Sequence, residues 1–177
     1  QLCAEGLLHR QELDETFWGS DLRKVDFPAV KAGRDRLLRL AWQRCGSLLD
    51  EQLEQFSQEN SYWLPDYLRF MTIQELGGVL DPNLRKGLEG RKQEALDEFD
   101  KEYAPFQRYY LFLQYVFYNQ WKQLRQYANG RGISFIGDIP IYVSLDSSDV
   151  WAHPELFQLD ENNKPSAIAG CPPDAFS

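Results

Sequence analysis

The chain has 177 residues with 43% hydrophobic and 14% aromatic content, enough apolar material for a substantial core and against a disordered chain. A formal net charge of −8 speaks against nucleic acid or an anionic membrane surface as partner, since either would require a basic patch that the sequence does not show. Cys3, Cys45 and Cys171 are odd in number, widely spaced and without a CxxC pair, which fits a reduced cytosolic setting, and the longest apolar run, 109–118, is interrupted by Gln114 and too short to span a bilayer.

Residues 1–27 read as an irregular opening segment with one helical turn, anchored by Leu7, Leu8, Leu13, Phe17 and Trp18. No signal-peptide pattern is read at the start and there is no initiator Met, so the expectation is that the natural N-terminus lies upstream. Pro28 suits the first position of a helix, and Leu38, Trp42, Cys45, Leu49, Leu53 and Phe56 recur at three- and four-residue intervals. The spacing predicts a helix over 28–58, weakest at Gly33 and Gly46, with Trp42 and Phe56 as core residues. Ser61 is read as the cap of the next helix, Pro65 as part of its first turn and Gly77-Gly78 as its end, with Tyr67, Leu68, Met71 and Leu76 inward. Residues 79–90 are read as a surface segment. A polar helix is predicted over 90–103, with Leu96 and Phe99 inward and Arg91, Lys92, Glu94, Asp97, Glu98 and Asp100 on a solvated face. Pro105 is then expected to open a separate, strongly apolar helix of about 25 residues. Asn129-Gly130-Arg131-Gly132 ends it.

The following run, Ile133-Ser134-Phe135-Ile136, is β-favouring and flanked by Gly132 and Gly137, which predicts a parallel-sheet strand over 133–138 with Asp138 at its carboxyl end. Helix, tight turn, parallel strand and an acid at the strand's end make the repeating unit of a TIM barrel, whose chemistry lies on the loops leaving the strands. From Asp138 onward the chain carries seven acids against one lysine, Lys164, and five of its nine prolines. A long loop stiffened by proline and carrying carboxylates between aromatic faces suits a neutral polyhydroxylated ligand better than an anionic one.

GDIPIYV, DSSDVW, HPELFQLD and AGCPPDAFS follow one another in this part of the chain, and WLPDYLRFM lies upstream at 63–71. In that order and spacing they resemble the 4-alpha-glucanotransferases called amylomaltases or disproportionating enzymes. Four patterns agreeing across about forty residues, and a fifth some seventy residues earlier, are far more specific than a lone GD-P. Residues 80–85, LDPNLR, depart from the family pattern, which often has tryptophans before a W-P-x-x-L-R element. The resemblance implies an α/β fold: part of a TIM (β/α)8 barrel with a large helical insertion, the chain itself mostly α. It implies an opening segment at 1–27, a helical insertion at 28–104, and a barrel helix, strand and long substrate loop at 105–177.

The resemblance also implies transfer of α-1,4-glucan units between maltooligosaccharides by a retaining double displacement. Such chemistry needs a nucleophile and an acid/base about 5–5.5 Å apart. In the family both carboxylates and a third, substrate-clamping Asp come from later barrel strands, and the arginine-x-aspartate-histidine signature of the nucleophile does not occur here. The chain is therefore expected to be an internal piece, inert by itself, with no catalytic residue of its own. Asp138, Asp174 and Phe176 are the residues the resemblance assigns to substrate: Asp138 ordering the cleavage site, Asp174 accepting sugar hydroxyls, Phe176 lying against a pyranose face. Ala175 stands where the family commonly has tyrosine. No cofactor and no metal are expected, the partners are α-1,4-glucans and maltooligosaccharides rather than nucleic acid or membrane, and the setting is the cytoplasm or a plastid stroma.

Other readings of the same residues stand beside these. Asp138 suits a strand-end carboxylate that accepts backbone N–H groups, and Phe176 suits a loop anchor. Asp146-Ser147-Ser148-Asp149 lacks the ligand spacing and glycine of an EF-hand loop and reads as turn and cap bonding. His153 has no histidine at i+4 for zinc, Cys171 no nearby partner for nucleophilic chemistry, and neither phosphate-binding glycine motifs nor GxSxG occur. The rival functions are a non-catalytic glucan-binding or scaffold module, and an unrelated barrel enzyme using Asp138 and Asp174 directly.

Overall fold

The structure is a computed structural model that describes residues 1–21, 23–140, 142–161, 163–167 and 170. Among them the regular elements are helical: α1 (Arg10–Asp14), α2 (Phe27–Cys45), α3 (Asp50–Glu59), α4 (Leu64–Leu76), α5 (Pro82–Glu89), α6 (Gln93–Asn129) and α7 (Ser148–Ala152), with single 3-10 turns at Gly77–Val79 and Pro154–Leu156. Within the described residues no helix is long and apolar enough to cross a membrane.

The chain divides into two compact units. The first comprises residues 1–64 and 108–136. Asp26 caps α2 by accepting from the Ala29 N–H at 3.0 Å, with Pro28 in the first turn. Leu37, Ala41 and Cys45, spaced by four, form its buried stripe. The 28–58 helix of the sequence reading is two helices, because Gly46 turns to φ +51°, a backbone state that glycine enters without steric penalty. Beyond the break Leu49, Leu53 and Phe56 continue the apolar pattern. Against these helices lies the second half of α6: Phe112 is fully buried, 5.4 Å from the Trp42 ring, and Phe56 meets Tyr118 edge-on at 5.3 Å. Trp42 and Phe56 are packing residues, as read from their spacing.

The second unit comprises residues 65–107 and 137–177. Its core joins Leu80, Leu84, Leu88, Leu96 and Phe99. The stretch expected to be a surface segment is thus helix α5, started by Asp81, whose carboxylate accepts from the N–H groups of Asn83 and Leu84, and by Pro82 at the first position. Residues 90–103 and 105–129, predicted as separate helices, are one helix, α6, with Pro105 inside it. Proline removes one N–H bond, at a cost of about 3 kcal/mol, but Tyr103, two residues before it, packs on that core and lies 4.8 Å from the buried Phe99 ring.

The predicted strand over 133–138 does not form; no strand occurs among the described residues, only an isolated antiparallel bridge between Leu159 and Pro165. A parallel-sheet strand requires neighbours on its edges to satisfy its N–H and C=O groups, and none of the described residues supplies one. Ile133, Phe135 and Ile136 are accordingly exposed, Ile136 almost completely. Phe135 nevertheless rests on the Trp121 ring of α6 at 5.0 Å.

Candidate functional site

Of the three residues singled out for substrate, Asp138 is described and Asp174 and Phe176 lie outside the described residues, as does Cys171. Asp138 follows the apolar run and is exposed, and its Oδ1 accepts the Ile139 N–H at 2.8 Å. The bond turns one lone pair toward the backbone; the carboxylate has further acceptor capacity.

The loop beyond it carries local structure. Ser147 caps α7 by accepting from the Val150 N–H at 3.3 Å, so the D-S-S-D stretch does form cap and turn bonds. Asp146 accepts from Gln74 Nε2 of α4 at 2.6 Å. Trp151, on α7, faces Phe70 of α4 at 6.4 Å and carries the guanidinium of Arg91 over its ring at 4.5 Å. Farther on, Asp160 closes a turn, its carboxylate accepting from the Lys164 N–H at 2.9 Å, and Ser166 bonds back to the Gln158 carbonyl. His153 Nδ1 lies 3.2 Å from Glu155, and no group of three or more metal-ligating side chains occurs among the described residues.

Next to Trp151 of α7 sits an ion-pair network, two of whose members, Arg91 and Asp100, are expected from the sequence on a solvated face. Arg69 grips Asp100 through Nε (2.9 Å) and Nη2 (2.5 Å) and reaches Asp66 at 3.3 Å, while Arg91 Nη2 donates to the same Asp66 oxygen at 2.9 Å. Arg91 and Asp100 are therefore half-buried and paired, not solvated. Burial acts to raise the Asp100 pKa, but the hydrogen bonds from Arg69 and Gln107 outweigh it and hold the carboxyl below its ordinary range. An acid so held accepts hydrogen bonds and gives up no proton near neutral pH, which suits a structural role. The signal that would have found this network was the i, i+3 pair Asp66 and Arg69 on α4.

Two of the clefts in these units are lined by a tryptophan. One, of about 340 Å³, is lined by Phe70, Gln74, Arg91, Asp146 and Trp151. The larger, about 660 Å³, lies in the first unit beside Phe56, Tyr118, Trp121 and Arg125 and contains none of the residues singled out for substrate.

The family model described as 4-alpha-glucanotransferase matches residues 1–177. A 4-alpha-glucanotransferase of Clostridium butyricum is 36% identical over 99% of this chain and 37% of its own length. One of Streptococcus pneumoniae is 39% identical over 99% of this chain and 35% of its own, and the chloroplastic/amyloplastic enzyme of Solanum tuberosum is 34% identical over 100% and 31%. Among solved structures, the amylomaltase from Streptococcus agalactiae in complex with acarbose superposes with a TM-score of 0.86 at 37% identity, over 99% of this chain and 36% of that one. The chain spans about a third of the length of the curated relatives it matches. Since sequence and three-dimensional similarity both run through it from end to end, the chain belongs to the 4-alpha-glucanotransferase family.

Proposed function

We propose that the polypeptide carrying this chain moves α-1,4-linked glucan units from a donor to the 4-hydroxyl of an acceptor maltooligosaccharide. The observation that carries this reading is the family match over all of residues 1–177, which includes the acidic loop after Asp138. The reaction is a retaining double displacement. A carboxylate forms a covalent glycosyl-enzyme as the donor's glycosidic oxygen leaves with a proton, and the acceptor hydroxyl then attacks the same carbon and gives up its proton. Both carboxylates lie outside residues 1–177, so this chain alone does not turn over, and no cofactor enters the reaction.

Within this reading, residues 28–104 are a helical insertion and 105–177 supply a helix, a strand and a substrate loop to a TIM barrel. The exposed apolar side chains of Ile133, Phe135 and Ile136 support a strand whose partners lie elsewhere in the polypeptide. Asp138 orders the cleavage site, Asp174 accepts sugar hydroxyls, and Phe176 offers its ring to a pyranose face. The amylomaltase of similar structure was solved with acarbose, which agrees with a glucan-shaped ligand. A reduced compartment, cytoplasm or plastid stroma, suits the cysteine content, and a plant relative is named chloroplastic/amyloplastic.

Incubation of the full-length protein with maltotriose tests the proposal. Glucose together with maltopentaose and longer products is expected; binding of maltotriose without new products would favour a glucan-binding module instead.

A further inference from the structure

Arg91 is the C′ residue of α5, and its backbone is left-handed, at φ +48°. Two bonds define the helix end: Arg91 N–H to Leu88 O at 3.1 Å and Lys92 N–H to Gly87 O at 3.0 Å. This is the 5→2 and 6→1 pair of a Schellman motif, in which glycine is the usual C′ residue because an L side chain there crowds its own backbone. Gly90, the residue before, occupies the C-cap instead. A non-glycine residue persists in such a state where its surroundings hold it, and here the side chain's contacts join the two backbone bonds in doing so.

Among the described residues the guanidinium donates to the Asp66 carboxylate and lies over the Trp151 ring. Asp66 is itself fixed by Arg69, which grips Asp100, so one end of the contact is built into α4 and α6. Nη1 of Arg91 is shielded from solvent and makes no hydrogen bond among the described residues. Hydrogen bonding alone does not account for a placement that leaves a donor unpaired; the flat face laid on Trp151 does. Gln74 to Asp146 at 2.6 Å ties the residue before the Ser147 cap to the same helix α4. The short helix α7 is thus held at two points, ten residues beyond Asp138 in the chain.

We propose that Arg91, seated on Asp66 and stacked on Trp151, is a latch that fixes the part of the loop after Asp138 that contains α7, making Arg91 a positioning residue for glucan binding. The inference rests on the proposed transferase reading for its second half only. A loop already ordered before substrate arrives pays less entropy on binding, so its release shows as weaker substrate affinity with the chemical step preserved.

The test uses the full-length protein and two variants. Arg91→Gly removes the latch while relieving the left-handed backbone, so it keeps the helix end; Arg91→Lys keeps a charge beside Asp66 but offers no planar face to Trp151. Hydrogen exchange of the peptide 143–160 is expected to speed up about fivefold in Arg91→Gly and by less in Arg91→Lys, with exchange in α5 unchanged. KM for maltotriose should rise by about the same factor with kcat within about twofold. Unchanged exchange at 143–160 would overturn the latch. Faster exchange with an unchanged KM would overturn the positioning of glucan. A wild-type protein inert toward maltotriose would sink the transferase reading, and the exchange measurement would still decide the latch.

Discussion

Gly87 of α5 lies so close to Ala95 of α6 that a Cβ on the glycine would come within 2.6 Å of the alanine Cβ. Neither atom is the end of a flexible side chain, so the helices would have to separate. Gly87→Ala gains about 1 kcal/mol of helix propensity and loses about 1–3 kcal/mol by overpacking. Urea denaturation should show a net loss, whereas Lys86→Ala, exposed on the same helix, should be within about 0.5 kcal/mol of the parent.

Glu12 is gripped by Arg44 at 2.6 and 2.8 Å and accepts the His9 N–H at 2.8 Å. The hydrogen bonds from Arg44, then that from His9, lower its pKa from 4.5 to about 2. Because the folded-state value lies below the unfolded one, the stabilisation is fully present above pH 4.5, declines as pH falls and is gone below about pH 2. Thermal unfolding of Glu12→Gln should show a shallower loss of stability than the parent across that interval.

Phe112, fully buried and 5.4 Å from Trp42, is the aromatic centre of the first unit. Phe112→Ala should cost about 3–5 kcal/mol, read from the denaturation midpoint, and Phe112→Leu clearly less.

How far these features are legible in the sequence depends on how local their causes are. The α2 start is announced by Asp26 and Pro28, and the break falls at Gly46, one of the two glycines where the predicted helix is weakest. Asp81-Pro82 is the same start signal, and Leu80, Leu84 and Leu88 at four-residue spacing carry the helix, within residues read as a surface segment. Pro105 misled in the other direction: α6 continues through a residue that ends most helices, with Tyr103 just before it packed on the core of Leu80, Leu84, Leu88, Leu96 and Phe99. The strand at 133–138 was read from a real apolar signal, but a strand exists only with partners, and ladder partners are not a local property. Charged residues were the least legible. Arg91 and Asp100 read as surface because their partners, Asp66 and Arg69, are 25 and 31 residues away.

The central claim is that the stretch ending at Asp138 serves a glucan-transferring site. Its most direct test is the initial rate of maltotriose disproportionation by the full-length protein and its Asp138→Asn variant, with unfolding temperatures measured alongside. The account predicts a rate about tenfold to a hundredfold lower in a variant that melts with its parent. An unchanged rate would contradict it.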